Sequence, residues 1–287
     1  MRLVNIKVRD EIHAGIFKDN KILDITHLKP VYSKIPRTTD ELIKIGGDAL
    51  KLLEKLSEQS EGGWVEETSV TYAPCVLNPG KILCVGLNYY THGQECKMEI
   101  PQTPTLFSKF NNSLASHRQP IKLPDFAEKF DYEAELVIVM GAKTYQIAKE
   151  DAFSHVFGFT AGNDLSARDL QLRTSQWLLG KTCNLFAPIG PCLVTADAIN
   201  PNSLKISCSV NGQLRQSSCT DQMIFDCESI ISYVSEYIPL EAGDLIFTGT
   251  PSGVIMGYKP DEQKWLKPGD RVEVNIEKIG SLINVFT

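Results

Sequence analysis

The sequence predicts a mainly β fold of the α+β class: a rolled or sandwiched β-architecture preceded by a small N-terminal α+β unit. Three observations carry that prediction. After Lys81 the apolar residues fall mostly in short runs, and one amphipathic helix pattern interrupts them. Turn signals recur at Asn211-Gly212, Gly243-Asp244 and Gly269-Asp270. Gly62-Gly63, Pro74 and Asn78-Pro79-Gly80 separate a first unit, residues 1–73, from a second, residues 78–287. Many short strands with few helices favour sheet packed on sheet over a doubly wound α/β fold.

The elements follow in chain order. Leu3–Val8, Ala14–Phe17 and Lys21–Ile25 read as short strands, with Asp19-Asn20 turning the chain between the last two. Thr39-Asp40 caps a helix whose apolar positions are Leu42, Ile43, Leu50, Leu53 and Leu56, interrupted at Gly46-Gly47. Leu136–Met140 is apolar at every position, as in a strand covered on both faces, and Val156–Thr160 forms a second strand. Leu204–Val210 and Gln213–Ser217 flank Asn211-Gly212, two residues that tolerate positive φ, so they predict a hairpin. A helix is expected from about Asp221 to Tyr237, with Ile224, Ile230, Ile231 and Val234 on its apolar face. The two Gly-Asp turns lead into alternating strands, Leu245–Thr248 and Arg271–Ile276.

Composition excludes several function classes. Of 287 residues, 43% are hydrophobic and 22% charged, as in an ordinary soluble globular protein. A net charge of -6 without any basic block argues against a nucleic-acid surface. No apolar run approaches a membrane span, and Met1-Arg2-Leu3-Val4-Asn5 lacks a signal-peptide profile, so the expected location is cytoplasmic. The eight cysteines include no C-x-x-C pair, and several sit inside apolar strands. They read as small buried hydrophobes in a reducing compartment, not as zinc ligands or a disulfide framework.

The chemistry concentrates around Asp131-Tyr132-Glu133-Ala134-Glu135. Carboxylates at i and i+2 on a strand point to one face, here at the mouth of an apolar core. Side by side they repel and lose hydration, and a divalent cation removes both penalties. Hard oxygen ligands suit Mg²⁺ or Ca²⁺ better than Zn²⁺. Asp164, after the next strand, adds a third carboxylate at a neighbouring strand end. The plainer readings are a pair of solvated rim glutamates and, for Asp164, an N-cap of the segment that follows.

Five segments, in order, then show a resemblance. Gly86-Leu87-Asn88-Tyr89-Tyr90-Thr91-His92-Gly93-Gln94-Glu95 fits G-x-N-Y-x-x-H-x-x-E, and Tyr132–Leu136 fits Y-E-x-E-L. Asn163–Asp169 fits N-D-x-[ST]-A-R-D, Gly180-Lys181 falls in a G-K segment before Gly190-Pro191, and Thr248–Gly253 fits T-G-T-P-x-G. Across residues 79–287 the chain closely resembles the fumarylacetoacetate hydrolase family. The resemblance implies a rolled β-sandwich core, a bound Mg²⁺ with Mn²⁺ or Ca²⁺ as alternatives, and a homodimer. It implies action on a 2-oxo or 2,4-dioxo acid by C–C hydrolysis, decarboxylation or tautomerisation. By position, Glu133, Glu135 and Asp164 match the family's metal ligands, and His92 and Glu95 its water-activating pair. Lys181 and Gln171 match groups near the reacting carbonyl, and Thr250 a substrate-contacting threonine.

Physical chemistry gives each position a reason. His92 and Glu95 at i and i+3 meet if their segment makes a helical turn, and a carboxylate raises imidazole basicity. The polar stretch Tyr89–Ile100 reads as a loop that closes over a substrate, with Cys96-Lys97-Met98-Glu99 giving it its own composition. Lys181, in apolar surroundings, needs the nearby carboxylates as partners and would stabilise an enolate, or else it snorkels to the surface. Gln171 follows Asp164 by seven residues, two helical turns onward. Arg168 either clamps a substrate carboxylate or pairs with Asp169. Lys109, between Phe107 and Phe110, either faces the site or follows strand alternation. The reaction expected is hydrolysis of an acylpyruvate-type acid through a metal-bound enolpyruvate. Oxaloacetate decarboxylation, isomerisation of 2-hydroxyhepta-2,4-diene-1,7-dioate, and a metal-dependent 2-oxo acid binding module stand as alternatives.

Overall fold

The computed structural model describes residues 1–28, 35–60, 62–95 and 101–287. The N-terminal unit supplies β1 (Arg2–Val8), β2 (Glu11–Lys18), β3 (Lys21–Asp24), α1 (Thr39–Ile45), α2 (Gly47–Gln59), β4 (Trp64–Glu66) and β5 (Thr71–Ala73). Next come β6 (Ile82–Gly86), α3 (Tyr90–Glu95), β7 (Thr105–Lys109), β8 (Leu114–Ser116), β9 (Phe130–Asp131) and β10 (Ala134–Met140). They are followed by β11 (Val156–Asn163), β12 (Ser166–Ala167), α4 (Arg168–Gln171), α5 (Leu178–Lys181) and β13 (Ala187–Thr195). The chain closes with β14 (Lys205–Val210), β15 (Gln213–Cys219), α6 (Cys227–Tyr237), β16 (Leu245–Phe247), β17 (Arg271–Ile276) and β18 (Gly280–Val285).

Twelve strands form one sheet, in the order β4-β3-β2-β1-β13-β11-β10-β16-β6-β7, with β5 beside β1 and β8 beside β13. A four-stranded antiparallel sheet, β15-β14-β17-β18, packs against β10, β11 and β13. Alternation along β10 explains its unbroken apolar run. Leu136, Ile138 and Met140 share a cluster with Ile206, Val274 and Leu282 of the smaller sheet. Val137 and Val139 join a second cluster with Leu42 and Leu53 of the N-terminal helices. From Leu136 to Met140 both faces are covered, and every residue there is apolar.

The N-terminal unit shares the large sheet, because Arg2 and Leu3 of β1 pair with Val194 and Leu193 of β13. Local turn chemistry follows the sequence closely. Asp19 and Asn20 have φ of 50° and 60°, Asn211 and Gly212 of 52° and 81°, as tight hairpins with right-handed strand twist require. Gly46, at φ 81°, separates α1 from α2. The helix expected from Asp221 begins later, at Cys227, so Ile224 precedes it and is no part of its face. Asp226 sets that start: its carboxylate accepts the Ser229 N–H at 2.8 Å from an extended backbone. Asp226→Ala is therefore expected to lower stability to urea by about 1 kcal/mol, the usual cost of a lost cap.

Among the described residues no helix is long and apolar enough to cross a membrane. The cysteines among them are all free, and all but Cys219 are buried. Cys96-Lys97-Met98-Glu99 lies outside the described residues.

Candidate active site

Antiparallel pairing brings the acidic residues together. The start of β10 meets the end of β11, with Ala134 opposite Asn163 and Glu135 opposite Gly162. The ladder continues one step further, the Asp164 N–H donating to the Glu133 carbonyl at 2.9 Å. Asn163 fixes the same corner, its Oδ1 accepting the Glu133 N–H at 2.9 Å. Gly162 makes room for this packing, since a Cβ there would lie 2.6 Å from side-chain atoms of Phe247 and Val137. The result is a buried group of three carboxylates, Glu133, Glu135 and Asp164, whose nearest oxygens lie within 4.8 Å of one another.

Buried carboxylates need cations, and three reach them. Lys181 Nζ bridges Glu133 Oε2 at 2.6 Å and Asp164 Oδ2 at 2.7 Å. Lys109 Nζ donates to Asp164 Oδ1, and to the Leu165 carbonyl at 3.1 Å. Arg168 spreads its fork over Asp131 (2.9 Å), Glu133 (2.7 Å) and the Gln171 amide oxygen (2.8 Å). Asp131 is held in turn by the N–H groups of Ile255 and Met256, at 2.8 and 3.0 Å. Glu135 accepts the Gly249 N–H at 2.7 Å.

The electrostatics divide the two glutamates. Burial works to raise the Glu133 carboxyl, but Lys181 and Arg168 outweigh it and hold the group well below the usual range. Burial, then the charges on Asp164 and Glu133, push Glu135 well above that range. Burial disfavours the Lys181 ammonium, yet Asp164 and Glu133 raise its pKa. Asp131, Glu133, Glu135 and Asp164 thus face Lys109, Arg168 and Lys181, one carboxylate in excess. Convergent carboxyl oxygens that outnumber their cationic partners are a donor set that fits a hard divalent cation.

A cavity of about 90 Å³ opens over this floor. Its lining combines polar side chains, Glu133, Glu135, Arg168, Gln171, Lys181, Thr250 and His92, with apolar ones, among them Val85, Phe107, Leu172, Trp177 and Met256. The segment read as a loop contains the helical turn α3, and there His92 Nδ1 lies 3.4 Å from Glu95 Oε2. Glu95 also accepts the Gly253 N–H at 3.0 Å, which ties α3 to the loop after Thr250. Thr250 Oγ1 donates to the Ala134 carbonyl at 2.9 Å and accepts from Gln216 at 2.8 Å.

Asp164 caps no helix: α4 starts four residues later with Ala167 as its cap, and both Asp164 oxygens go to lysines. Arg168 pairs with Asp131 and Glu133 and not with Asp169, which accepts the Glu128 N–H. Gln171 reaches the cavity through the short α4 after strand β12, so two helical turns from Asp164 do not exist. Lys109 approaches the acidic group without lining the cavity, and Lys181 is buried instead of snorkelling. Asp131 opens the acidic motif, and its role as a partner of Arg168, 37 residues away, leaves no trace in local sequence.

Residues 81–287 match the family model described as fumarylacetoacetate (FAA) hydrolase, C-terminal. The chain is 40% identical over 290 residues to oxaloacetate tautomerase Fahd2a, mitochondrial, of Rattus norvegicus, covering 99% of this chain and 91% of that protein. The solved fumarylacetoacetate hydrolase from psychrophilic Exiguobacterium antarcticum is 32% identical with a TM-score of 0.82, over 100% of this chain and 99% of that one. A 5-carboxymethyl-2-hydroxymuconate delta-isomerase from Mycobacterium smegmatis is 28% identical with a TM-score of 0.78, over 100% and 98%. Hydrolase and isomerase names thus occur on this one fold, in a family that generally uses divalent metal. On both sequence and structure, this chain belongs to the fumarylacetoacetate hydrolase family of enzymes.

Proposed function

We propose that this protein is a Mg²⁺-dependent enzyme that interconverts keto and enol forms of a small 2-oxo acid, with oxaloacetate as the substrate. The supporting observation is the buried acidic group, compensated by Lys109, Arg168 and Lys181 and flanked by the His92–Glu95 pair. Such a site stabilises an enolate and moves one proton. The name of the rat relative supports the choice of oxaloacetate.

In this reading Glu133, Glu135 and Asp164 would hold the ion, with Mn²⁺ or Ca²⁺ as alternatives. When bound, it supplies Lewis-acid polarisation of the 2-oxo group. His92, oriented through Nδ1 by Glu95, transfers the C3 proton at Nε2. Lys181 and Arg168 place positive charge beside the developing oxyanion. Gln171 and Thr250 orient the substrate, and Lys109 keeps Asp164 aligned from outside the cavity.

A second reading is C–C hydrolysis of a 2,4-dioxo acid. The placement of His92 beside Glu95 favours it, since the same pair can take a proton from water. The decisive assay follows enol-oxaloacetate absorbance with Mg²⁺, alongside acylpyruvate cleavage and oxaloacetate decarboxylation. Ketonisation should lead the panel, and His92→Ala should slow it about 10²–10⁴-fold. Full activity in thoroughly chelated protein would refute the metal role. Oxalate binding with metal but no turnover anywhere in the panel would favour a 2-oxo acid binding module.

We further propose a homodimer in a reducing compartment such as the cytoplasm. Exposed Phe126, Leu172 and Leu179 give the catalytic region apolar surface for a second copy to cover. Light scattering is expected to give twice the 31.9 kDa chain mass. Unpaired cysteines, as all those among the described residues are, are the usual state in reducing surroundings.

A further inference from the structure

The proposed chemistry needs the Glu95 carboxylate held against His92, and the loop after β16 does part of that holding. The Gly253 N–H lies 3.0 Å from Glu95 Oε1 and 3.1 Å from Oε2, so it donates between the two oxygens. Oε2 is also the atom that faces His92 Nδ1. Gly257 bounds the carboxylate from another side. The three atoms nearest a Cβ built there all belong to Glu95: Cδ at 2.1 Å, and Cγ and Oε1 at 2.4 Å. A side chain at 257 and a carboxylate in this place therefore exclude one another.

The backbone does not ask for glycine at 257. Ile255–Gly257 is a single 3₁₀ turn, and Gly257 lies outside the positive-φ region that Gly253 occupies at 104°. Its missing Cβ makes room for Glu95. The loop is the stiffer of the two partners. Asp131 accepts the N–H groups of Ile255 and Met256, and the Tyr132 hydroxyl donates to the Gly253 carbonyl at 2.9 Å. Val254 and Ile255 are buried. Glu95 arrives on a flexible side chain at the end of the six-residue α3. A methyl group at 257 would displace the carboxylate and leave the loop in place.

We propose that Gly257 is a positioning residue: with the Gly253 N–H it forms a cradle that fixes the Glu95 carboxylate against His92 Nδ1. Its effect on rate rests on the proposed proton transfer by His92, whereas its effect on the imidazole does not. Gly257→Ala in the full chain tests it, by NMR of the imidazole nitrogens and by kinetics with Mg²⁺. A carboxylate at Nδ1 favours the Nδ1–H tautomer and leaves Nε2 to exchange the proton. Gly257→Ala is expected to shift His92 towards the Nε2–H tautomer, as Glu95→Ala does. It should lower kcat for ketonisation about a hundredfold, the cost of misplacing a catalytic group by about 1 Å. Mg²⁺ affinity, set by the acidic floor, should stay the same. Any fall in melting temperature caused by Gly257→Ala should vanish in the Glu95→Ala background, because the two changes share one contact. Should Gly257→Ala fail to fold, the double variant is expected to fold. An unaltered His92 spectrum would overturn the cradle, as would an equal fall in melting temperature in both backgrounds or a double variant that also fails to fold. An altered spectrum with undiminished turnover would leave the cradle standing and overturn the proton-transfer role of His92.

Discussion

If Glu135 holds the proposed ion, Glu135→Gln is expected to abolish Mg²⁺ binding and to lower turnover about a thousandfold or more, because such an ion would supply several kcal/mol of charge stabilisation. The same change is expected to stabilise the metal-free protein. Burial, Asp164 and Glu133 disfavour the Glu135 carboxylate, so ionisation at neutral pH weakens the fold. A neutral amide removes that penalty and can still accept the Gly249 N–H. In chelator the melting temperature should rise by about 2–4 °C, the shift per kcal/mol for a chain of this size. In Mg²⁺ the variant should gain no further stability, whereas the wild type should. Equal Mg²⁺-induced shifts in both proteins would remove Glu135 from the metal site.

Arg168→Leu should produce the largest loss of stability. The guanidinium is buried, and its removal leaves Asp131 and Glu133 each short of a charged partner. Breaking a buried ion pair from one side costs about 3–5 kcal/mol. Arg168→Lys should recover only part of this, since one ammonium cannot span Asp131, Glu133 and Gln171 as the planar fork does. The effect has a defined pH dependence. Glu133 is held below its ordinary value of 4.5 by Lys181 and Arg168 against the effect of burial. Its contribution is therefore present above that value and lost as pH falls through the depressed pKa. The gap between wild type and Arg168→Leu should hold from neutral pH to about pH 5 and narrow as the pH falls below the ordinary value of 4.5 in urea titrations. A gap that widened on acidification would contradict this charge assignment.

Which parts of this site were legible in the sequence depended on the range of the interaction. The alternation Glu133-Ala134-Glu135 and the apolar run after it announce a strand whose acids share a face, because period two is a local property. Asn211-Gly212 announces its hairpin for the same reason. The start of α6 was misplaced by six residues, since Ile224 fits the apolar period while only Asp226 satisfies the terminal N–H groups. Gln171 was placed at the site through a helix that is absent between Leu165 and Ala167.

By itself the sequence determined the mainly β class, the order of its motifs, the family, and the acidic residues that converge at one sheet end. Those features follow from spacing along the chain and from backbone sterics. Tertiary structure alone decided the partners. Asp131 binds Arg168 across 37 residues, Lys181 binds Glu133 across 48, and Lys109 binds Asp164 across 55. It also decided that Trp177 faces the cavity and that β1 extends the catalytic sheet through β13. Each of these requires strands distant in sequence to be brought into register, and their charges to be compensated where water is excluded. Neither condition leaves a periodic trace in the chain.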